Sequence, residues 1–222
     1  MQPDLLTALG PLLSLWPFFL GAFLLLIAVK WLTSARFKGW FGEWEIRREL
    51  TKLDPGIYQA FHDLYVPQPD GDGTTQIDHV VVSAFGIFVI ETKNYGGWIF
   101  GSERQRQWTQ QIYRNKFRFQ NPLHQNKLHV TALMNYLGLP EACFQSVVFF
   151  TGEATFKTPL PDNVLRRNLL HWIRKHSETL LSPKEISQST AALHQLHLST
   201  DRRVAAKEHL ADLRRRADEI NS

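Results

Sequence analysis

The fold of this chain is decided by two neighbouring apolar segments, residues 76–83 (QIDHVVVS) and residues 86–93 (GIFVIETK). Both are rich in β-branched and other apolar residues, which predicts two buried strands joined by a tight turn. Unpaired charges are costly inside a sheet, yet Asp78 lies within the first strand, and Glu91 and Lys93 end the second. Charges placed in this way indicate a functional site built on the hairpin.

The residue types in the hairpin suit a divalent-metal site for phosphodiester chemistry. Mg²⁺ prefers oxygen ligands and commonly uses one or two carboxylates, which Asp78 and Glu91 would supply, with the Thr92 backbone carbonyl as a further ligand. Strand alternation directs Lys93 to the same face as Glu91, where its ammonium would stabilise developing negative charge. The structural alternative is an ion pair between Asp78 and Lys93, with Glu91 only marking a strand end. We predict a Mg²⁺ or Mn²⁺ site that activates water against a phosphate ester.

An N-terminal apolar segment predicts a membrane anchor. Residues 5–29 contain no charged residue, and about 20 apolar residues suffice for a transmembrane helix. The segment is followed by the basic residues Lys30, Arg36 and Lys38. Positive charge on that side favours a cytoplasmic location for the rest of the chain. We therefore expect residues 1–37 to form a single-pass anchor with a basic flank in the cytoplasmic (inner) membrane; the alternative is a buried core helix.

The remaining periodicities predict an α/β protein. Helices are expected at residues 40–53, 122–137, 168–176 and 183–198 and from Asp201 onward, and strands at residues 61–66, 98–101, 107–113 and 146–150 in addition to the hairpin. The strands at 98–101 and 107–113 are interpreted as the continuation of an antiparallel meander. Helices before and after the strands would flank one central mixed sheet. The single Cys143 excludes an intramolecular disulfide.

Positive charge is concentrated in one short segment. The chain carries a formal charge of +4, which permits polyanion binding without requiring it. Residues 103–127 hold six cations against the single acid Glu103: Arg104, Arg106, Arg114, Lys116, Arg118 and Lys127. Aromatic residues are interleaved with them, a mixture typical of surfaces that bind a nucleic-acid backbone and stack on bases. The alternative is a solvated hairpin that faces anionic lipid headgroups.

The histidines do not form a zinc-binding pattern in the sequence. His79 follows Asp78 and is expected on the opposite face of the sheet, where it packs or forms a hydrogen bond. His124 and His129 are five residues apart, so they do not share a helix face well. None of the histidines is assigned to a metal.

The motifs together resemble those of a known family. These are Gly42-Glu43, Gln76-Ile77-Asp78-His79, Glu91-Thr92-Lys93-Asn94-Tyr95-x-Gly97, Trp108 and Asn121-Pro122-x-x-Gln125. They resemble the nuclease-related domain (NERD) family, a branch of the PD-(D/E)xK nuclease superfamily, over residues 38–150. The resemblance implies a restriction-endonuclease-like αβββαβ core in which Asp78, Glu91 and Lys93 are catalytic. It also implies that Glu43, rather than Glu45, and Gln125 flank the site.

These features lead to a functional hypothesis. We expect a membrane-anchored, Mg²⁺- or Mn²⁺-dependent nuclease that hydrolyses phosphodiester bonds of nucleic acid, with DNA favoured over RNA. The alternative is a binding module at the membrane that holds nucleic acid or a protein without cleaving. Retention of Asp78, Glu91 and Lys93 together favours the enzyme. Residues 151–222 carry no recognisable motif and are expected to form a helical extension, which would bind a partner if the core were only a scaffold.

Overall fold

A computed structural model of the chain describes residues 16–32, 34–70 and 73–199. The chain divides into two units, residues 1–41 and residues 42–222. In the first unit, helix α1 spans Trp16–Leu32, and helix α2, Ala35–Leu50, begins there and continues into the second unit. The apolar side chains of α1 are largely exposed, and Lys30 is its single charged residue.

The predicted transmembrane helix is not supported by the described part of the chain. Residues 5–15 of the predicted span lie outside the described residues. Within residues 16–32, 34–70 and 73–199, no helix combines the length and the apolar character needed to cross a bilayer.

The second unit is organised around a five-stranded mixed sheet. Its strands are β1 (Gln59–Pro67), β2 (Thr74–Ser83), β3 (Gly86–Lys93), β7 (Phe144–Phe150) and β9 (Val164–Leu165), in the order β1-β2-β3-β7-β9. The first three strands are antiparallel, whereas β7 pairs parallel with β3 and β9 parallel with β7. The predicted hairpin and the mixed character of the sheet are therefore confirmed.

A second sheet contains the strands that follow the hairpin. It is formed by β4 (Gly97–Phe100), β5 (Gln107–Ile112), β6 (Asn115–Gln120) and β8 (Ala154–Phe156), in the order β6-β5-β4-β8. The prediction of one continuous meander is wrong because β3 already pairs with β7 along its length, from Ile87–Phe144 to Lys93–Phe150. With both edges of β3 occupied, β4 pairs with β5 and with the distant β8 instead.

Helices cover both faces of the central sheet. Helix α3 (Pro122–Leu137) and helix α5 (Pro183–Ser199) pack on one face in a cluster that includes Val80 and Val89. Helix α2 and helix α4 (Leu169–Lys175) pack on the other face in a cluster that includes Val81 and Phe88. The order α2-β1-β2-β3-α3-β7 is the αβββαβ core that the sequence motifs imply.

The predicted C-terminal extension contains strands as well as helices. The expectation that it is mostly helical is wrong for residues 154–165, where β8 and β9 each join a sheet. Leu169 of α4 and Leu193 of α5 are buried in the two clusters that cover the central sheet. The helix expected from Asp201 onward lies outside the described residues, and the domain boundary at residue 150 remains a prediction.

Candidate active site

The two site strands bring Asp78 and Glu91 to neighbouring positions. The last pair of the β2–β3 ladder joins His79 to Ile90, so the next step of this register places Asp78 beside Glu91. Lys93 lies two residues beyond Glu91, and its Nζ is 2.6 Å from Glu91 Oε1, as strand alternation predicts. The side chain of Glu91 is 2% exposed and that of Lys93 is 17% exposed. The pair is thus shielded from bulk water, which strengthens its electrostatic interaction.

The alternation of β1 and β2 is interrupted beside the site. The cluster under α3 takes Phe61 and Leu64 from β1 and Ile77 and Val80 from β2, which are three residues apart in each strand. Asp63, between the two β1 residues, has a left-handed backbone with φ of 53°, which is uncommon outside glycine. On either side of Asp63, the side chains again alternate between the two faces of the sheet. At the interruption itself, the side chains do not have to follow this alternation. No sequence pattern indicated this distortion.

The carboxylates at the interruption are held by specific partners. Asp78 Oδ2 accepts a hydrogen bond from the backbone N–H of Thr92 at 2.8 Å. Asp63 Oδ2 pairs with Arg47 Nη2 of α2 at 2.7 Å. The Thr92 amide therefore orients the Asp78 carboxylate from the adjacent strand. The predicted role of the Thr92 carbonyl as a metal ligand remains a prediction.

Gln125 reaches the site from helix α3. Its Oε1 accepts a hydrogen bond from Lys93 Nζ at 3.0 Å, so Lys93 bridges the helix and the Glu91 carboxylate. The helix begins at Pro122, and the Asn121 side chain accepts from the N–H of Leu123, which is a typical N-cap.

Two asparagines fix α3 against the sheets. Asn121 Nδ2 lies within 3.1 Å of three carbonyl oxygens of the β4–β5 loop, those of Ser102, Glu103 and Gln105. Asn126 Nδ2 donates to the carbonyls of Val89 and Val147 and to the Ser146 hydroxyl. Both asparagines are fully buried, so these hydrogen bonds satisfy polar groups that water does not reach. These hydrogen bonds fix the position of helix α3, which carries Gln125, relative to β3.

His129 is a site residue that the sequence reasoning missed. Its Nε2 lies 3.1 Å from Glu91 Oε2, and its Nδ1 lies 2.9 Å from the Thr75 hydroxyl. When the hydroxyl donates to Nδ1, the ring presents its Nε2–H to the carboxylate. This arrangement orients Glu91 from the side opposite Lys93. The available signal was the spacing of four between Gln125 and His129, which places both on one face of α3.

Helix α2 supplies Glu43. A Cβ on the preceding Gly42 would lie 2.6 Å from Thr151 Oγ1 and 2.9 Å from Asn94 Cβ. Glycine thus permits the helix to approach the ends of β3 and β7, which precede Asn94 and Thr151. Burial raises the pKa of Glu43 to about 7, and the nearby charges of Asp63 and Glu91 add to this shift. Glu43 therefore interacts electrostatically with the site and titrates near neutral pH.

The three central ionisable groups have shifted pKa values. Burial, followed by repulsion from Glu91 and Glu43, raises the pKa of Asp78 well above its usual value. Burial acts in the same direction on Glu91, but the hydrogen bond from His129 and the charge of Lys93 outweigh it and lower the pKa. For Lys93, burial alone would lower the pKa, and the Glu91 carboxylate reverses this effect and raises it. Of the neighbouring carboxyl groups Asp78 and Glu91, Asp78 is thus the one whose charged form is disfavoured.

The donor set suits a hard divalent cation. Asp78 and Glu91 offer carboxylate oxygens, and each oxygen has lone pairs beyond the one its present hydrogen bond uses. Among the described residues, no three or more His, Cys, Asp or Glu side chains form a metal-binding group. Two carboxylates nevertheless match the small number of protein ligands that Mg²⁺ commonly takes. Burial and the neighbouring carboxylates raise the pKa of Asp78, and a cation bound beside it would oppose this shift.

The site opens into a cleft, here called the site cleft, with a volume of about 540 Å³. Its walls include Thr75, Asp78, Gln120, Gln125, Leu128 and His129. A second cleft of about 850 Å³, the hairpin cleft, lies against the β5–β6 hairpin and is lined by Arg106, Thr109, Arg118, Gln120, His124 and others. The side chain of Gln120 lines both clefts.

The six predicted nucleic-acid-binding cations are all exposed, and three of them line clefts. Arg106 and Arg118 line the hairpin cleft, and Lys116 lines a smaller cleft together with Arg118. The other three are Arg104 in the β4–β5 loop, Arg114 in the β5–β6 turn and Lys127 on α3. Only part of the charged segment therefore shares a concave surface.

His79 lies on the face opposite Glu91, as predicted. Its Nδ1 is 2.8 Å from His62 Nδ1 in β1, and the ring is almost completely buried. Burial, with the charges of His62 and Arg47, lowers the pKa of His79 to about 3. The ring is therefore neutral in the folded protein at physiological pH.

An Asp on one strand and a Glu-x-Lys on the next, at the end of an αβββαβ core, define a nuclease domain of PD-(D/E)xK type. The chain matches the nuclease-related domain (NERD) model over residues 38–151, just over half of its length, and so belongs to that family. It is also similar to an uncharacterized protein from Bacillus anthracis, with 52% identity over 98 residues that make up 44% of this chain and 46% of that protein. The match thus spans about half the length of this curated relative. No solved structure matches the chain significantly.

Proposed function

We propose that this protein is a divalent-metal-dependent nuclease that hydrolyses phosphodiester bonds of nucleic acid, with DNA favoured over RNA. One observation carries the proposal: Lys93 joins the Glu91 carboxylate to Gln125 beside Asp78, and two members of this group, Asp78 and Gln125, line an open cleft. Carboxylates that can hold a divalent cation, with an ammonium beside them, are groups that support water attack on a phosphodiester. If Lys93 and Glu91 formed only a structural ion pair, the adjacent buried carboxyl group of Asp78 would add electrostatic cost without stabilising the pair.

Asp78 and Glu91 would hold Mg²⁺ or Mn²⁺, with the Thr92 carbonyl as a further candidate ligand. When bound, the cation would neutralise the phosphoryl oxygens and make a nearby water more acidic. Glu91 is pre-oriented by His129 and Lys93, and Asp78 by the Thr92 amide. The carboxylates would therefore bind the cation with little rearrangement.

The remaining site residues would act on water and on the phosphate. The Lys93 ammonium, fixed by Gln125, would stabilise negative charge as it develops on the phosphate. Glu43, with a pKa of about 7, is suited to exchange a proton with water near neutral pH. Gln125 acts on Lys93 and is a positioning residue in this scheme.

A cleavage assay tests the proposal. The full-length protein is incubated with plasmid, linear DNA and RNA, with Mg²⁺, Mn²⁺ or EDTA. We expect metal-dependent cleavage that Asp78→Asn and Lys93→Met abolish. Asp162→Asn and Lys175→Met are matched controls because both residues are exposed and neither lines the site cleft. Cleavage that persists in both site variants would refute the assignment, and metal-independent binding alone would favour the non-catalytic binding module.

We also propose that the N-terminal segment attaches the protein to the inner membrane with the nuclease domain in the cytoplasm. The proposal is supported by the apolar sequence of residues 5–29 and by the exposed aromatic and aliphatic side chains of α1. Fractionation of cells that express the full chain and a variant lacking residues 1–34 tests attachment. A reporter fused after Ser222 tests orientation, and a periplasmic signal would contradict the proposed topology.

A further inference from the structure

One face of the second sheet has a regular cationic and amide surface. In the β5–β6 ladder, Thr109 pairs with Arg118 and Gln111 with Lys116, so these four side chains share a face. Trp108 and Phe119 point to the other side, where the Trp108 ring is fully buried and lies parallel to Phe150. The hairpin is anchored from behind by this aromatic contact. The exposed face of the hairpin is therefore fixed in position by the buried aromatic contact behind it.

This face continues toward the β4 edge. Trp98 of β4 pairs with Gln111, which places it on the same face, and its side chain is 46% exposed. Lys157 Nζ lies 4.5 Å from the centre of the Trp98 ring, a cation–π contact. The backbone N–H of Lys157 also donates to the Ile99 carbonyl, which fixes the residue to β4. A further cation is thus held at the far end of the face.

The same face is continuous with the candidate active site. Gln120 ends β6 and lines both the site cleft and the hairpin cleft. From Gln120, the surface passes Arg106 and Arg118 and reaches Lys116. Between Lys116 and Gln120 the strand advances about 13 Å, since each residue adds about 3.3 Å. We call this surface the cationic track; its residues are Arg106, Thr109, Lys116, Arg118, Gln120 and Lys157.

We propose that the cationic track binds one strand of nucleic acid and leads it to the site cleft. None of the six track side chains is a carboxylate, so the surface is complementary to a polyanion. Lys116 and Arg118 follow each other on one edge strand, about 6.6 Å apart, and form a single row that follows one phosphate backbone. Neutral amide and hydroxyl groups beside the row bind phosphate and sugar oxygens without reading base sequence. The inference rests on the proposed nuclease function for the identity of the ligand.

Binding is measured separately from cleavage. Fluorescence anisotropy of an Asp78→Asn protein in EDTA reports affinity for a labelled 20-nucleotide single strand and for a duplex of the same sequence. We expect tighter binding of the single strand. In Lys116→Gln/Arg118→Gln, the affinity should fall at least tenfold, and the slope of log K against log salt should decrease by about 1.4, since each lost contact contributes about 0.7. The control Lys175→Gln/Lys184→Gln removes the same charge from exposed positions on α4 and α5 and should bind as the parent does.

Two results would overturn the cationic track. One is unchanged affinity and salt slope in the double variant, with thermal unfolding equal to that of the parent. The other is a preference for the duplex that the double variant retains. A minimal diester, bis(p-nitrophenyl) phosphate, separates this failure from failure of the proposed function. Suppose that the parent protein cleaves both the diester and nucleic acid, and that the double variant has the same KM for nucleic acid as the parent. The proposal of the cationic track is then wrong, and the proposed nuclease function is supported. If the double variant no longer binds nucleic acid, but the parent protein cleaves neither substrate in the presence of metal, the cationic track is supported and the proposed nuclease function is wrong.

Discussion

The Lys93 ammonium is paired with the Glu91 carboxylate at 2.6 Å, two positions away on the same strand. This separation directs both side chains to one face, so the strand itself positions the pair. Glu91 keeps a low pKa in a buried position because Lys93 and His129 both stabilise its charge. The hydrogen bond from His129 and the Glu-x-Lys spacing thus together lower a pKa that burial alone would raise.

Removal of the lysine should affect both stability and activity. Lys93→Met leaves Glu91 buried with one cationic or hydrogen-bonding partner fewer, and breaking a buried pair costs about 3 kcal/mol. We expect cleavage to fall by about 10² or more, because a charge aimed at the phosphate is lost. Urea unfolding and initial cleavage rates measure the two effects. Glu91→Gln/Lys93→Met should recover part of the stability without activity; no recovery would contradict the coupling of the two residues.

His129 should control metal affinity through Glu91. His129→Ala frees one oxygen of Glu91, and loss of such an outer partner typically weakens a metal site by about 10–100-fold. The Mg²⁺ concentration that gives half-maximal cleavage should rise accordingly, whereas saturating metal should restore much of the rate. His171→Ala, an exposed histidine on α4, is the control. An unchanged metal dependence in His129→Ala would assign the residue a packing role only.

Metal binding should release a proton from Asp78. Its raised pKa means that the metal-free site binds a proton that a cation must displace, so apparent metal affinity should increase as pH rises toward that pKa. Titration calorimetry in two buffers of different ionisation enthalpy gives the number of protons released. The release should disappear in Asp78→Asn. Equal heats in both buffers for the parent protein would be inconsistent with a protonated Asp78.

His79 should make stability depend on acid pH. Its folded pKa of about 3 lies below the usual 6.5, so the unfolded chain binds more protons between these values. The contribution is fully present above about pH 6.5 and is lost as pH falls toward 3. At about 1.4 kcal/mol for each pKa unit, the loss amounts to a few kcal/mol. His79→Phe preserves a buried ring, and its free energy of unfolding should decrease less than that of the parent between pH 7 and pH 4. Parallel pH profiles would exclude this role.

Gly42 should be less tolerant of a side chain than its helix neighbour Gly39. A Cβ at Gly42 meets Thr151 Oγ1 and Asn94 Cβ, whereas a Cβ at Gly39 meets nothing within 4 Å. Gly42→Ala should displace Glu43 and lower both stability and cleavage. Gly39→Ala should be neutral or stabilising by up to about 1 kcal/mol, the helix propensity difference. Equal melting temperatures and rates in the two variants would show that the close approach is unimportant.

Local sequence patterns predict the core elements because the apolar pattern of a buried strand and the capping residues of a helix lie within short stretches of sequence. The segments 76–83 and 86–93, and the helix that starts after Asn121, were found within a residue or two. The second sheet could not be predicted, since the choice of β8 as the partner of β4 depends on which edges are already occupied. The strand β6 is difficult to predict because its exposed alternation of cations and aromatics indicates a binding surface as well as a hairpin strand.

The site was predictable only in part for similar reasons. Asp78, Glu91 and Lys93 stand out because charges are unusual in apolar strands. His129 gave no such signal, because its partners Glu91 and Thr75 are 38 and 54 residues away in sequence. The left-handed Asp63 likewise gave no signal, since its ion-pair partner Arg47 is 16 residues away in sequence.

The parallel pairing of β3 with β7 has a consequence for biosynthesis. Glu91 is paired with Val148, so the strand that carries Glu91 and Lys93 is enclosed only after more than 50 further residues have left the ribosome. Helix α3, which supplies Gln125 and His129, is also synthesised after β3. The buried electrostatic arrangement around Glu91 can therefore form only after these later segments have been synthesised. The residues of the candidate active site would in this way be brought together only when the core of the nascent chain is complete.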